Sequence, residues 1–136
     1  MISNAEEFVR LRTSEDRSEY EQAAHDEAPM EVWMDVIATR PDMRVWVAVN
    51  KTVPIAILEV LLDDEDWRVR STVASKRKLP PHLLEVLSRD SSEIVRLSVV
   101  SNKKTPAALL HSLAEGDPSE MVRRRAADHL DRRHLP

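Results

Sequence analysis

The sequence contains no cysteine, one glycine and five aromatic residues in 136 positions. The absence of cysteine excludes disulfides and thiolate metal sites, which suits a reducing cytosol. A β-barrel or β-sandwich is not expected, because those folds need glycines at turns and large side chains along strands. No apolar stretch has the length of a signal peptide at the start of the sequence or of a membrane span elsewhere. We therefore predict a cytoplasmic protein that does not cross a membrane.

Apolar residues make up 42% of the sequence and charged residues 32%, a balance typical of a globular protein. At this length the chain fits one domain. Four segments that begin with a proline align with one another, at Pro29, Pro54, Pro80 and Pro106, with spacings of 25, 26 and 26 residues. A period in this range indicates stacked supersecondary units.

The segments share a series of features. Apolar residues at helical spacing follow each proline. In the last three segments an aspartate comes next and an apolar residue with an arginine lies five positions after it, and Met43 with Arg44 matches this pair in the first segment. The arginines are Arg44, Arg70, Arg96 and Arg123, and the aspartates are Asp64, Asp90 and Asp117. Proline suits the first position of one helix, and the aspartate suits the N-cap of a second. Each segment is therefore predicted to form two short helices, with capping boxes from Asp90 to Glu93 and from Asp117 to Glu120.

A pair of short helices buries too little surface to be stable alone, so neighbouring pairs must stack. We predict an all-α fold in which about four two-helix repeats, residues 29–136, follow an N-terminal helical cap, residues 1–28. The cap is expected because the open face of the first repeat needs a cover. The alternative for residues 1–28 is a mobile arm that binds a partner.

The signature Asp-x-x-x-x-Val-Arg-x-x-Val-Ala-x-Asn, followed by Thr-Pro-x-x-Leu-Leu-x-x-Leu, is best matched from Asp90 to Leu113. This pattern resembles bacterial leucine-rich repeat variant and HEAT-like repeat proteins, and the resemblance covers residues 29 to about 130. It implies a right-handed α-solenoid with the first helices on the outer wall and the second helices on the inner, concave wall. It also implies an interaction scaffold. Some relatives bind an iron–sulfur cluster through N-terminal cysteines, which this chain lacks.

The recurring arginines and aspartates are predicted to form a structural ladder between repeats. A guanidinium binds a carboxylate through two parallel hydrogen bonds, and these residues recur together at fixed positions. The ladder consists of Arg44, Arg70, Arg96, Arg123, Asp64, Asp90 and Asp117. The alternative is that the arginines clamp phosphate groups.

The second helices should expose one face along the concave wall, and this face is the predicted protein-binding site. The residues predicted to contact the partner are Val45, Trp46, Val49, Arg68, Thr72, Leu97, Arg124 and Arg125. A tryptophan flanked by valines is a plausible anchor for a partner protein, although the N-terminal cap could instead cover Trp46. We therefore predict a non-catalytic scaffold that binds an unidentified protein, as an immunity or adaptor protein would.

A second row of basic residues lies in the turns between segments and is named the basic ridge. It consists of Lys51, Lys76, Arg77, Lys78, Lys103 and Lys104. Together with Arg124 and Arg125 it could bind nucleic-acid phosphates, which is the alternative function. The competing interpretation is that these side chains only keep the helix ends solvated and favour the helix dipole.

The charge is unevenly distributed along the chain. Residues 1–66 hold 16 acidic and 6 basic residues, net −10, whereas residues 67–136 hold 8 and 14, net +6, giving −4 in total. The overall negative charge makes nucleic acid the less favoured partner. The asymmetry is compatible with a monomer or with weak end-to-end self-association.

No pattern in the sequence indicates an enzyme, a metal site or a cofactor. No two histidines lie four residues apart, as a helical metal pair requires. The acidic run from Asp63 to Asp66 lacks the glycine and distal glutamate of a calcium loop. A glycine-rich phosphate loop is excluded, because the chain has one glycine.

Overall fold

The computed structural model describes residues 1–133, which form ten α-helices and one short 3₁₀ helix, with no strand among them. The all-α prediction is therefore confirmed. The chain divides into two compact units, Met1–Asp63 and Asp64–Pro136. The predicted cap and the first predicted repeat both lie in the first unit. The last three residues of the predicted repeat region, 134–136, lie outside the described residues.

Five α-helices and the 3₁₀ helix belong to the first unit. They are α1 (Ala5–Thr13), α2 (Arg17–His25), α3 (Met30–Thr39), the 3₁₀ helix (Pro41–Met43), α4 (Arg44–Val49) and α5 (Ile55–Leu61). In this unit the rings of Phe8 and Trp33 pack in a T-shaped arrangement, with centroids 5.3 Å apart at 82°. Both side chains are buried. Residues 1–28 therefore contribute directly to the core of the first unit.

The second unit contains the other five helices. They are α6 (Trp67–Ala74), α7 (Pro81–Leu87), α8 (Glu93–Ser101), α9 (Ala107–Gly116) and α10 (Glu120–Arg133). Helix α8 packs against both α6 and α10, so these three helices form one layer. Valines one helical turn apart, such as Val69 with Val73 and Val95 with Val99, form the buried stripe of this layer.

The second helices begin two residues later than the sequence predicts. The N-cap of α6 is Asp66, whose carboxylate accepts the Arg68 N–H at 2.9 Å, and the N-cap of α8 is Ser92. The carboxylate of Asp90 instead accepts the Ser92 N–H at 2.8 Å, in an Asx turn that precedes the helix. The predicted N-caps and both capping boxes are therefore wrong, because these carboxylates turn the chain ahead of the helix, as Asp117 also does toward the Ser119 N–H, and leave the cap to a later residue.

Two buried asparagines make the same contact in the two units. In the first unit, Asn50 Nδ2 donates to the carbonyl oxygens of Ala23 at 2.8 Å and Asp26 at 3.0 Å, just at the end of α2. In the second unit, Asn102 Nδ2 donates to the carbonyls of Ala74 and Lys76, at the end of α6, at 2.8 and 2.9 Å. Carbonyl groups at the end of α2 therefore accept hydrogen bonds from Asn50, as carbonyl groups at the end of α6 do from Asn102. Residues 1–28 contain a pair of helices, α1 and α2, that pack against each other, although their sequence does not align with the other segments.

Candidate functional site

Two arginine–aspartate pairs link successive helices of the second unit. Arg70 binds Asp90 through two hydrogen bonds, Nε–Oδ2 at 2.8 Å and Nη2–Oδ1 at 3.2 Å. Arg96 binds Asp117 in the same way, at 2.8 and 3.3 Å. The side chains of Arg96 and Asp117 are only 11% and 2% exposed. The Asp90 carboxylate also raises the pKa of Arg70. Each arginine therefore holds the aspartate of the following segment.

The remaining guanidinium nitrogens bind backbone carbonyls. Nη1 of an arginine donates to the carbonyl oxygen of the aspartate six residues earlier in three cases: Arg70 to Asp64 at 2.6 Å, Arg96 to Asp90 at 2.8 Å and Arg123 to Asp117 at 2.6 Å. In the first unit, Arg44 Nε donates to the Ile37 carbonyl at 2.8 Å. These guanidiniums satisfy carbonyl groups in the last turn of α3 and in the loops that precede α6, α8 and α10, which favours the structural interpretation over a phosphate clamp.

The outward side of α6, α8 and α10 is the second-unit part of the predicted concave face. On each helix a set of solvent-accessible positions with the spacing i, i+3, i+4, i+7 defines one helical face. These positions are Arg68, Ser71 and Thr72 on α6 with its C-cap Ser75, Ile94, Leu97, Ser98 and Ser101 on α8, and Met121, Arg124, Arg125 and Asp128 on α10. The Oγ atoms of Ser71 and Ser98 lie 2.6 Å apart, so the faces of α6 and α8 meet.

Two apolar side chains on this face are more exposed than any of the predicted apolar site residues. Ile94 is 48% and Met121 is 51% exposed, whereas Leu97 is half-buried. They occupy equivalent positions, the second residue of α8 and of α10. Ser119 Oγ donates to Glu93 Oε1 at 3.1 Å, which brings the starts of the two helices together. The predicted set omits both residues. In the aligned segments they occupy the same position as Arg68, which belongs to the predicted set, so the alignment could have identified them.

The arginines of this face differ in their pairing. Arg68 binds the Asp66 carboxylate, with Nη2–Oδ2 at 3.0 Å, and this contact raises the pKa of Arg68 and lowers that of Asp66. Arg124 pairs with Glu120 at 2.9 Å, one helical turn earlier. Arg125 is exposed and makes no ion pair with the described residues. The face is therefore apolar at Ile94 and Met121, with cationic groups on either side.

In the first unit, the predicted site residues Val45, Trp46 and Val49 are all half-buried on α4. The guanidinium carbon of Arg12 lies 3.4 Å from the centre of the Trp46 ring. Trp46 is therefore partly covered by the N-terminal segment, although not removed from solvent. Arg12 was not predicted as a site residue, because it lies outside the repeating part of the sequence.

Two turns of the basic ridge are joined in the second unit. Asn102, which precedes Lys103, donates to the Lys76 carbonyl at 2.9 Å, and Arg133 donates to the carbonyls of Thr105 and Lys103 at 2.6 and 3.4 Å. Lys76–Lys78, Lys103–Lys104 and the end of α10 therefore lie at one edge, here called the basic edge. Lys51, the remaining ridge residue, is exposed in the first unit and its N–H donates to the Ala24 carbonyl at 2.8 Å.

Desolvation and positive charge both affect groups at the basic edge. Partial burial lowers the pKa of Lys78. Burial, and then the charges of Arg132, Arg133 and Arg125, lower the pKa of His129. Burial thus opposes the charged form of both groups.

A groove of about 820 Å³ lies between α7 and α9, on the first helices of the second unit. Its wall includes His82, Glu85 and Arg89, and Glu85 pairs with Arg89 at 3.0 Å. Asp90, Arg96 and Asp117 also line it, and all three are engaged in the ladder hydrogen bonds described above. The glutamate, aspartates and arginines of this groove are therefore already engaged in ion pairs within the chain.

Within residues 1–133 no three histidine, aspartate or glutamate side chains are grouped as a metal site would require. None of the helices described here combines the length and apolar character needed to cross a membrane. No known family model matches the chain, and no curated protein or solved structure matches it either.

Proposed function

We propose that the chain is a non-catalytic protein-binding scaffold of the cytoplasm, built as a HEAT-like α-solenoid. Support for the repeat architecture comes from contacts that recur with the sequence period. Arg70 and Arg96 bind the next aspartate in the same geometry, and Asn50 and Asn102 make the same backbone contacts. Stacked helix pairs of this kind leave an extended surface on which partners bind.

The observation that supports the function best is the apolar pair Ile94 and Met121 on the α6–α8–α10 face. Isolated exposed apolar residues are common, but these two occupy equivalent positions on packed helices whose starts are hydrogen-bonded. Methionine and arginine are enriched at protein interfaces. On α10, Arg124 and Arg125 lie one helical turn after Met121. This arrangement fits a protein partner with an apolar centre and acidic surroundings.

The proposal predicts that Ile94→Glu combined with Met121→Glu abolishes partner binding. Two carboxylates at the centre of an interface cost affinity through desolvation and loss of apolar contact, and we expect at least about a hundredfold weakening. The measurement is affinity capture from the native cytosol, followed by titration of the isolated partner. The matched control is Met34→Glu with Val60→Glu, which changes two residues of the first unit, each 41% exposed, by the same charge. Equal capture by both double variants would contradict the assignment of this face.

The basic edge of the second unit supports a second candidate function, the binding of nucleic acid. The two hydrogen-bonded turns place Lys76, Arg77, Lys78, Lys103 and Lys104 at one edge. In the second unit 14 basic and 11 acidic residues give a net charge of +3, whereas the first unit has 6 and 13, net −7. A local surplus of this kind attracts a polyanion in spite of the overall charge.

If nucleic acid binds at the basic edge, its affinity must fall steeply with salt. Five phosphate contacts predict that the logarithm of the affinity falls with the logarithm of salt concentration with a slope of about −4.5 on a duplex and about −3.5 on a single strand. Fluorescence anisotropy of a labelled duplex and a labelled single strand measures this slope. Lys103→Glu with Lys104→Glu should reduce binding, whereas Arg17→Glu with Arg89→Glu, which has the same change in charge at exposed sites, should not. Absence of binding at low salt would remove this function.

A further inference from the structure

Arg12 differs from the other arginines of the first unit in how it is bound. Arg10 pairs with Glu19 and Arg17 with Glu21, whereas Arg12 has neither an ion pair nor a hydrogen bond within residues 1–133. Its only described contact is with the Trp46 ring, 3.4 Å from the guanidinium carbon. At this distance the guanidinium must lie stacked on the ring, because an upright orientation would overlap the ring atoms. Its N–H groups therefore point outward in the plane of the guanidinium.

A small cavity adjoins this stacked pair. It has a volume of about 290 Å³ and lies between α2 and α4. Arg12, Tyr20, Ala23, Ala24, Trp46 and Val49 line it. The lining is apolar except for the guanidinium and the Tyr20 hydroxyl, and the volume is enough for one amino-acid side chain rather than a larger ligand. The cavity thus combines one apolar compartment with one cation that has free donors.

We propose that this cavity, here called the Arg12–Trp46 pocket, binds the C-terminal residue of a partner polypeptide. The terminal carboxylate accepts two hydrogen bonds from Arg12, and the apolar side chain of the same residue fills the space between Tyr20 and Val49. This proposal rests on the proposed function in that the ligand is a protein segment. It does not involve Ile94 or Met121, which lie in the other unit.

The size and charge of the site favour a terminal carboxylate over the side chain of an internal acidic residue. In a C-terminal residue the carboxylate and the side chain share one Cα, so both reach a cavity of this size. Two residues whose side chains leave the same side of an extended strand are about 7 Å apart, too far to share it. The first unit also has a net charge of −7, and Glu15, Asp16 and Glu19 follow Arg12 in the sequence. A ligand with a single negative charge is therefore favoured.

The test uses the whole chain and three acetylated tripeptides: Gly-Gly-Leu with a free carboxylate, the same peptide as its C-terminal amide, and Gly-Leu-Glu amide with an internal carboxylate. NMR titration of the Trp46 indole N–H, assigned with Trp46→Phe, measures binding. We expect saturable shifts with the first peptide at millimolar concentration and at least about tenfold weaker binding of the amide. Equal binding of acid and amide, preference for the internal glutamate, or no shift at about 20 mM peptide would overturn the proposal.

Variants separate this pocket from general charge effects. Arg12→Gln should weaken binding of the free acid about tenfold, and Arg12→Lys should weaken it less, because lysine keeps the charge but loses the paired donors. Arg10→Gln, on the same helix, should leave binding unchanged. Unaltered backbone NMR spectra establish that each variant is folded. The Ile94→Glu, Met121→Glu double variant should bind the peptide normally, so failure of the α6–α8–α10 face and failure of this pocket give different results.

Discussion

Replacing Arg96 by leucine is expected to lower the free energy of unfolding by about 3–5 kcal/mol. Its guanidinium binds both carboxylate oxygens of Asp117, which is 2% exposed, and also the Asp90 carbonyl. Without Arg96 the carboxylate keeps its hydrogen bond from the Ser119 N–H but loses its countercharge in a site with little water. The cost is the desolvation of an unpaired charge, which urea unfolding followed by circular dichroism would measure.

The control for this experiment is Arg124→Leu, in the neighbouring helix α10. Arg124 pairs with Glu120, and both side chains are more than 70% exposed. Loss of such a pair costs about 0.3–0.5 kcal/mol. The double variant Arg96→Leu, Asp117→Leu should recover part of the stability, because removing both charges removes the desolvation penalty. A loss of less than about 1 kcal/mol in Arg96→Leu would mean that water reaches this pair and that the ladder does not hold the helices together.

The sequence grouped these arginines and aspartates by their period, but it did not predict which of them pair. A strictly periodic pattern is the same whether Arg70 binds the aspartate of its own segment or that of the next one. In the structure it does both, through its own segment's Asp64 carbonyl and the next segment's Asp90 carboxylate. The same geometry explains the displaced helix starts, because an aspartate that turns the chain and binds arginine is not also the cap. Sequence periodicity identifies which positions are equivalent, whereas the structure identifies which aspartate each arginine binds.

Sequence periodicity does not predict contacts between residues at non-equivalent positions. Arg12 and Trp46 belong to segments that do not align, so no repeat predicted their stacking. Tyr20, which also lines the pocket, is 37% exposed. Ile94 and Met121 lie at the position equivalent to Arg68, which the sequence assigned to the predicted face. Their exposure depends on what neighbouring side chains leave uncovered, which spacing does not determine.

The second large effect is expected for Phe8→Ala, which should destabilise the protein by about 3–5 kcal/mol. Phe8 is fully buried and its ring forms a T-shaped pair with Trp33, which belongs to the first predicted repeat. Truncation would leave a cavity beside Trp33 and remove the contact between α1 and α3. Denaturant unfolding monitored by tryptophan fluorescence measures the loss, since Trp33 reports on this contact directly.

This experiment decides between the two interpretations of residues 1–28, a fixed cap and a mobile arm. A fixed cap unfolds cooperatively with the rest of the unit, so removing its main apolar side chain lowers the free energy of unfolding of the whole unit. A mobile arm is detached most of the time, so Phe8→Ala would change stability by less than about 0.5 kcal/mol. Tyr20→Ala is the matched control in the same segment, because an aromatic ring that is 37% exposed contributes less to the core. If both variants are equally mild, Trp46 is open to solvent and the Arg12–Trp46 pocket does not persist. If only Phe8→Ala is severe, the cap that holds Arg12 over Trp46 is part of the folded unit.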